Sequence, residues 1–182
     1  FVILCRRESQ AREAYERVQE ILTRLRLELH PEKTKLVELG VGKEGFDILG
    51  CHFRLVRSVF RNRCYLFRWP SRRAMNAVRE RVRRLTNRRR WAGLRDIRDV
   101  IAELNPVLRG WGNYFRTGNA SKQFRSLDRY VASRLVRLIG QREGLKRRPF
   151  YRRDWPHTRF VDDFGLHKLL GTIRYPGGAH AT

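Results

Sequence analysis

The chain is short of acidic residues. It has 18 Asp and Glu against 41 Lys and Arg in 182 residues, a formal net charge of +23, with a sequence pI near 11.4. An excess this large goes beyond what solubility needs and points to a polyanionic partner, most simply nucleic acid. Arginine dominates the cations, and its planar fork suits bidentate phosphate contacts and stacking on bases. Arginine-rich codon usage in a GC-rich genome is the competing source of part of this excess. No apolar run reaches the roughly 18 residues of a membrane-spanning helix, so no membrane partner is expected. The three cysteines (Cys5, Cys51, Cys64) are odd in number and contain no Cys-x-x-Cys pair. That argues against a disulfide framework or a zinc ribbon. They read as small apolar strand residues in a reducing compartment. No internal repeat or low-complexity segment interrupts the chain. It opens on Phe1, not Met, and residues 1–5 are too short and too uncharged at the start to be a signal peptide. The expectation is a piece of a longer reading frame.

Hydrophobic residues make up 41% of the chain, enough for a packed core. Residues 1–5 (Phe-Val-Ile-Leu-Cys) have a buried-strand pattern and, as an exposed sheet edge, should pair with a strand outside this chain. Residues 8–29 read as a helix, with Ala11, Ala14, Tyr15, Val18, Ile21, Leu22 and Leu25 at helical spacing and Ser9 as its cap. His30-Pro31 ends it, because the residue before proline avoids helical geometry. Residues 33–39 predict a short strand, followed by a turn at Gly40, Gly42 and Gly45. Residues 46–56 and 64–69 predict a hairpin around the basic loop 57–63. Pro70 marks a boundary. Ser71 caps a helix running to about Arg89, with Met75, Val78, Val82 and Leu85 on its apolar face. A second helical region, 94–115, is expected to break at Asn105-Pro106. A third, 121–139, carries Phe124, Leu127, Tyr130, Val131, Leu135 and Leu138 and ends at Gly140 and Gly144. Residues 147–182 read as irregular, aromatic and basic. The expected class is α+β: a small antiparallel sheet with one helix, then a three-helix bundle, then a basic tail.

Residues 104–116, Leu-Asn-Pro-Val-Leu-Arg-Gly-Trp-Gly-Asn-Tyr-Phe-Arg, interleave aromatics (Trp111, Tyr114, Phe115) with cations (Arg109, Arg116). Such faces stack on bases or pack against a neighbouring helix, while guanidinium groups hold phosphates. For Trp111 a place between helices competes with a stacking platform. Two other features invite a metal reading. Val161-Asp162-Asp163-Phe164 looks like a paired-carboxylate box but lacks strands on both sides, and His157 and His167 lack a ligand cluster at metal spacing.

The 104–116 stretch closely resembles the signature of the maturase-specific X domain, the thumb of group II intron reverse transcriptases. Asn119-Ala120-Ser121, Phe124 and Leu127-Asp128 fit that family's next helix, and 147–176, with Gly171-Thr172-Ile173-Arg174-Tyr175-Pro176, looks like its end segment. At the other end of the chain, residues 1–5 resemble the strand that follows the family's Asp-Asp box. Leu29-His30-Pro31-Glu32-Lys33-Thr34-Lys35 resembles the next palm motif, and Phe46-Asp47-Ile48-Leu49-Gly50-Cys51-His52-Phe53 resembles the primer grip, with Cys51 where an aromatic is common. The resemblance implies the end of a palm at 1–69, a thumb at 71–141 and a basic extension at 142–182. It implies that Lys33 lies near the nucleotide phosphates, although a lone lysine at a strand start is as readily a solvated one. Leu49 and Gly50 would form the primer grip, the glycine letting backbone approach the primer, although a simple strand bulge at Gly50 accounts for the same residues. Arg72, Arg73, Arg83, Arg84, Arg109, Trp111, Tyr114, Arg116, Lys122 and Arg125 would contact RNA.

The implied partners are structured intron RNA, an RNA–DNA template–primer, and the palm and fingers of the same protein upstream of Phe1. The implied setting is a bacterial cytoplasm or an organelle. The parent protein would be an RNA-directed DNA polymerase whose Mg2+ ions are held by the upstream aspartates. Residues 1–182 alone would bind no metal and would not polymerise. The alternatives are a free-standing RNA-binding maturase that never polymerises and a nonfunctional remnant. Binding should weaken steeply as salt rises.

Overall fold

The structure, a computed structural model, describes residues 1–58, 62–91, 96–142 and 155–174. Its contacts divide the chain into two compact units, Phe1–Phe46 with Arg54–Cys64, and Asp47–Phe53 with Tyr65–Thr182. The described part is α+β, with a small antiparallel sheet in the order β1-β2-β3. No described helix is long and apolar enough to cross a membrane.

In the first unit, α1 spans Glu8–Arg24. Its cap differs from expectation. Arg7 takes the N-cap position, and the Gln10 side chain reaches back to accept from the backbone N–H of Arg6 and Arg7, each at 3.2 Å. The helix also stops before His30-Pro31. Arg26 turns left-handed (φ 56°), the Leu27 N–H donates to Leu22 O at 2.9 Å and the Arg26 N–H to Thr23 O at 3.0 Å. This is a Schellman ending, with arginine where glycine is usual, so nothing in the sequence signalled it. Residues 1–5 form no strand and are exposed. Cys5 is therefore not a strand residue. Residues 33–39 form no strand either. The N–H groups of Lys33 and Thr34 both donate to His30 O, at 3.1 and 2.9 Å, closing a turn that spends donors a ladder would need. No residue of α1 is buried, although Ala11, Ala14, Val18 and Leu22 are half-covered.

The expected hairpin is present, with one refinement. Its first arm is two strands, β1 (Phe46–Ile48) and β2 (Cys51–Arg57), and its second is β3 (Cys64–Pro70). Leu49 and Gly50 lie between β1 and β2, both at positive φ (49° and 75°), as a two-residue I′ hairpin turn requires. Glycine adopts this freely. Leucine does not, and residue preferences alone do not predict a leucine there. Of the other cysteines, Cys51 is buried and Cys64 is exposed. Burial pushes the Cys51 thiol pKa up, with the Arg68 charge opposing.

Beyond Pro70 the chain packs. Ser71 is buried and accepts from Ala74 N at 3.2 Å, capping α2, Arg72–Leu85. α2 ends at Thr86, not near Arg89, and Arg88–Trp91 forms a separate 3-10 turn. The Thr86 hydroxyl donates to Val82 O (2.8 Å) and accepts from Arg134 Nε (2.9 Å), which ties the helix end to α4. α3 spans Ile97–Phe115 and runs through Asn105-Pro106 without the expected break, with Asp96 as N-cap. Leu94 lies outside the described residues. Pro106 removes one N–H and an interior proline costs about 3 kcal/mol. Here Pro106 and the Ala102 that loses its partner both sit on the exposed face, where water reaches the carbonyl. The opposite face buries Ile97, Val100, Ile101, Leu104, Leu108 and Phe115. Each fully buried side chain of this size is worth about 1.5–3 kcal/mol, so the face outweighs the proline.

α4 spans Ser121–Arg142 and passes through Gly140, which is buried inside it. The predicted stop there is wrong because a glycine packed against other elements needs no exposed cap. Gly144 lies outside the described residues. Phe124, Leu127, Val131 and Leu135 are 0–1% exposed, the stripe that the spacing predicts. The α3–α4 loop is fixed to β3. The Asn119 N–H donates to Arg68 O at 2.6 Å, and the Arg68 guanidinium donates to the Thr117 carbonyl (3.0 Å) and hydroxyl. A Cβ on Gly118 would stand 2.5 Å from Arg68 O, so only glycine fits that approach.

The C-terminal residues are the largest departure from expectation. Within 155–174 the chain forms a short helix, α5 (His157–Asp162), and then an irregular strap that is part of the core. Phe160 and Leu169 are 0% exposed and Leu166 is 3%. Side chains of α3 and α4 hold the strap by its backbone. Asn105 donates to Gly165 O (2.9 Å) and accepts from His167 N (2.8 Å). The buried Asp128 carboxylate accepts from Leu169 N (3.1 Å) and Leu170 N (2.9 Å). Such side-chain-to-backbone bonds leave no periodic trace. Tyr175 and Pro176, the end of the quoted motif, lie outside the described residues.

Candidate nucleic-acid interface

Three segments separated in sequence meet at one groove of about 490 Å3. The Leu49-Gly50 turn forms one wall. Ala74, Ala77, Val78 and Arg81 of α2 and Val107, Trp111, Tyr114 and Phe115 of α3 form the rest. Polar contacts set the turn in place. The Tyr114 hydroxyl donates to Leu49 O at 2.8 Å, and the Ser71 N–H donates to Gly50 O at 2.8 Å. With both carbonyls held, the Leu49 side chain projects outward and is 79% exposed. A non-glycine residue kept in left-handed geometry at an exposed tip is the kind of local strain that concentrates at binding sites.

The aromatics of the groove form a connected set. Phe115 is buried, 4.8 Å from the Trp111 ring and 4.7 Å edge-on to the Tyr114 ring. Trp111 also lies 5.5 Å from the fully buried Phe124. Its indole N–H is buried without a hydrogen-bond partner. Trp111 is therefore an inter-helix residue with one edge on the groove. Tyr114, 57% exposed, is the aromatic face open to a ligand.

The expected cationic RNA contacts fall on four faces. At 100° per residue, Arg73 and Arg84 share the flank of α2 that carries Ala77 and Arg81, beside the groove. Arg72 and Arg83 occupy the flank toward α4, where Arg79 donates to Ser126 Oγ at 2.9 Å. Arg83 is paired with Glu80 at 2.9 Å. Lys122 and Arg125 form an exposed stripe on α4. Arg109 and Arg116 lie on the flank of α3 away from the groove, against the strap: the Arg174 N–H donates to Arg116 O at 2.7 Å, and the Arg109 charge reaches the His167 ring. Burial, then Arg109, lowers the His167 pKa, while Asp128 opposes the shift. The structure thus brings Leu49, Gly50, Trp111 and Tyr114 together and keeps Arg109 and Arg116 apart from them. Lys33 belongs to the first unit, in the turn after His30, and is exposed. Arg81 was missed by sequence reasoning. Its spacing from Ala74 and Ala77 places it on the groove side of α2, and that spacing was the available signal.

Among the described residues, no three His, Cys, Asp or Glu side chains come together as metal ligands. Asp162 and Asp163 sit at the end of α5, and Asp163 pairs with Arg159 at 3.5 Å. His157 Nε2 is buried without a partner. These residues do not fit a centre that holds two metal ions.

Residues 75–156 match the family model described as group II intron, maturase-specific domain. The match begins inside α2, runs through α3 and α4, and stops just before α5. This chain carries a group II intron maturase-specific domain. The domain supports a maturase-related role in the splicing of group II introns and implies interaction with intron RNA. The groove wall contributed by α2 and α3 lies almost wholly inside the matched segment, and the Leu49-Gly50 turn lies outside it. No curated protein matches the chain.

Proposed function

We propose that this chain grips a template–primer as well as intron RNA, as the thumb and the end of the palm in a group II intron reverse transcriptase/maturase. The observation that carries this reading is the groove. The turn resembling a primer grip, Leu49-Gly50, is hydrogen-bonded through Leu49 O to Tyr114, a residue of the maturase signature. Two motifs quoted from separate parts of the sequence thereby become one surface. Arg73, Arg81 and Arg84 along its edge have no ion-pair partner among the described residues, so their charge is available to phosphates. Tyr114 supplies a stacking or sugar-packing face. On this reading residues 1–69 are the end of the palm, 71–141 the thumb and 142–182 a basic extension, with Lys33 near the nucleotide phosphates. The setting is a bacterial cytoplasm or an organelle. In polymerisation Mg2+ supplies the phosphoryl-transfer chemistry. Among the described residues no cluster of carboxylates fits it, and on this reading the part of residues 1–182 is to position nucleic acid and offset its charge.

A second reading is RNA binding in splicing without polymerisation, which the maturase-specific match at 75–156 supports by itself. One experiment separates them. The full chain is titrated with an RNA–DNA template–primer and with a structured RNA, before and after Tyr114→Phe, which frees the Leu49 carbonyl. The first reading predicts template–primer affinity several-fold lower in the variant, with structured-RNA affinity retained. An unchanged template–primer affinity, or a wild-type chain that binds the structured RNA but not the template–primer, supports the second.

A further inference from the structure

The strap follows one flank of α3 in register. Arg98 donates to Asp163 O (3.4 Å), Asn105 holds Gly165 and His167, Gly112 packs on Leu169, and Arg116 O accepts from Arg174 N (2.7 Å). These anchors on α3 are seven, seven and four residues apart, so they share one stripe over about 27 Å of helix. Gly112 is buried, and a Cβ there would stand 2.6 Å from a methyl of Leu169. The close approach of strap and helix depends on that glycine. On the α4 side, Asp128 fixes Leu169 and Leu170 from beneath.

This docking has an electrostatic consequence. Leu166 and Leu169 are held inward, which leaves Lys168 exposed between them. The bond from Arg174 N to Arg116 O sets two arginines side by side. The Arg109 charge reaches the His167 ring, and Arg125 precedes Asp128 by three residues on α4. None of Arg109, Arg116, Arg125, Lys168 and Arg174 has an ion-pair partner among the described residues. The acidic groups nearby are Asp128, buried with both oxygens bonded, and Asp162 and Asp163 at the upstream end. From 165 to 174 the strap carries no Phe, Tyr or Trp, so this face offers charge without a stacking platform.

We infer that the docked strap completes a second nucleic-acid face, distinct from the groove, that takes the sugar–phosphate backbone of folded RNA through Arg109, Arg116, Arg125, Lys168 and Arg174. The inference rests on the RNA-binding reading above and assigns it a separate surface. The strap lies beyond the segment that matches the maturase family, and it brings Lys168 and Arg174 to cations on α3 and α4 that would otherwise stand apart. The face reads backbone charge and shape, not base identity.

The test uses the full chain and a labelled RNA stem-loop, with affinity measured across a salt series. The triple variant Arg109→Gln/Lys168→Gln/Arg174→Gln changes exposed side chains only and leaves the anchors intact. It is expected to bind about 10- to 100-fold more weakly at low salt, with a salt slope smaller by about two to three. The companion variant Asp128→Ala removes an anchor and raises the net charge by one. Charge alone predicts tighter binding, whereas loss of the docked strap predicts weaker binding, and the inference requires the weaker result. A groove variant, Arg73→Gln/Arg81→Gln/Arg84→Gln, serves as reference. If it loses affinity while the strap triple binds like wild type, the strap face is not an RNA surface and the RNA-binding reading stands. Wild-type binding that tightens in Asp128→Ala overturns the role of docking. A wild-type chain that does not bind the stem-loop, or binds with no salt dependence, overturns the RNA-binding reading and this inference with it.

Discussion

Two helices in this chain carry equally clear apolar stripes and meet opposite fates. α2 presents Met75, Val78, Val82 and Leu85, and all four are buried. α1 presents Ala11, Ala14, Tyr15, Val18, Ile21 and Leu22, and none is buried; Tyr15 and Ile21 are 37% and 50% exposed. An apolar stripe records a demand for a partner and not the partner itself. The stripe of α2 is met by α3 and α4 within its own unit. The first unit contains no second helix among the described residues, and Phe1, Leu4, Leu36 and Val41 of that unit are exposed. The residues of the buried core all fall in the second unit. Stability, and with it the precision needed to hold a binding surface, is concentrated there.

That contrast can be broken by truncating one residue in each helix set. Phe124→Ala, at a position 0% exposed and packed on Trp111, should cost about 3–5 kcal/mol. Val18→Ala in α1 should stay within about 0.5 kcal/mol. All four tryptophans lie in the second unit, so their fluorescence during denaturant unfolding reports that unit directly. Comparable losses from the two substitutions would erase the distinction.

A smaller effect sharpens the comparison through pH. His167 is half-buried, and burial with the Arg109 charge lowers its pKa below the ordinary 6.5, with Asp128 opposing. The unfolded chain therefore takes up the proton first as pH falls. The second unit should lose stability as pH drops through about 6.5 toward the lower folded value, and the loss should level off below it. His167→Asn should flatten that slope, as read from melting temperature across pH. An unaltered slope would place the titrating group elsewhere.

The same contrast explains how much of the fold was legible. The stripes of α2, α3 and α4 were readable because their partners are helices in this chain. The hairpin around residues 57–63 was readable from its strands and basic loop. Pro106 misled because its local propensity was outweighed by burial on the far side of the helix, and Gly140 because it is itself buried. Arg26 and Leu49 in left-handed geometry were invisible because neither residue type signals it. The strap was invisible because Asn105, Asp128 and Arg116 O hold it by its backbone, so its own sequence needs no pattern. At the site, Leu49, Gly50, Trp111 and Tyr114 were each singled out from the sequence. Their convergence was not, since it depends on a hydrogen bond across 65 positions. Arg109 was grouped with the aromatics by proximity in sequence, yet the turn of α3 carries it to the opposite flank.

The most direct test is hydrogen exchange of the full chain with and without an RNA–DNA template–primer. Amides of the Leu49-Gly50 turn, of α2 around Ala74–Arg81 and of α3 around Val107–Phe115 should slow on binding, while those of α1 should not change. Slowing confined to α1, with none around the groove, would contradict the account.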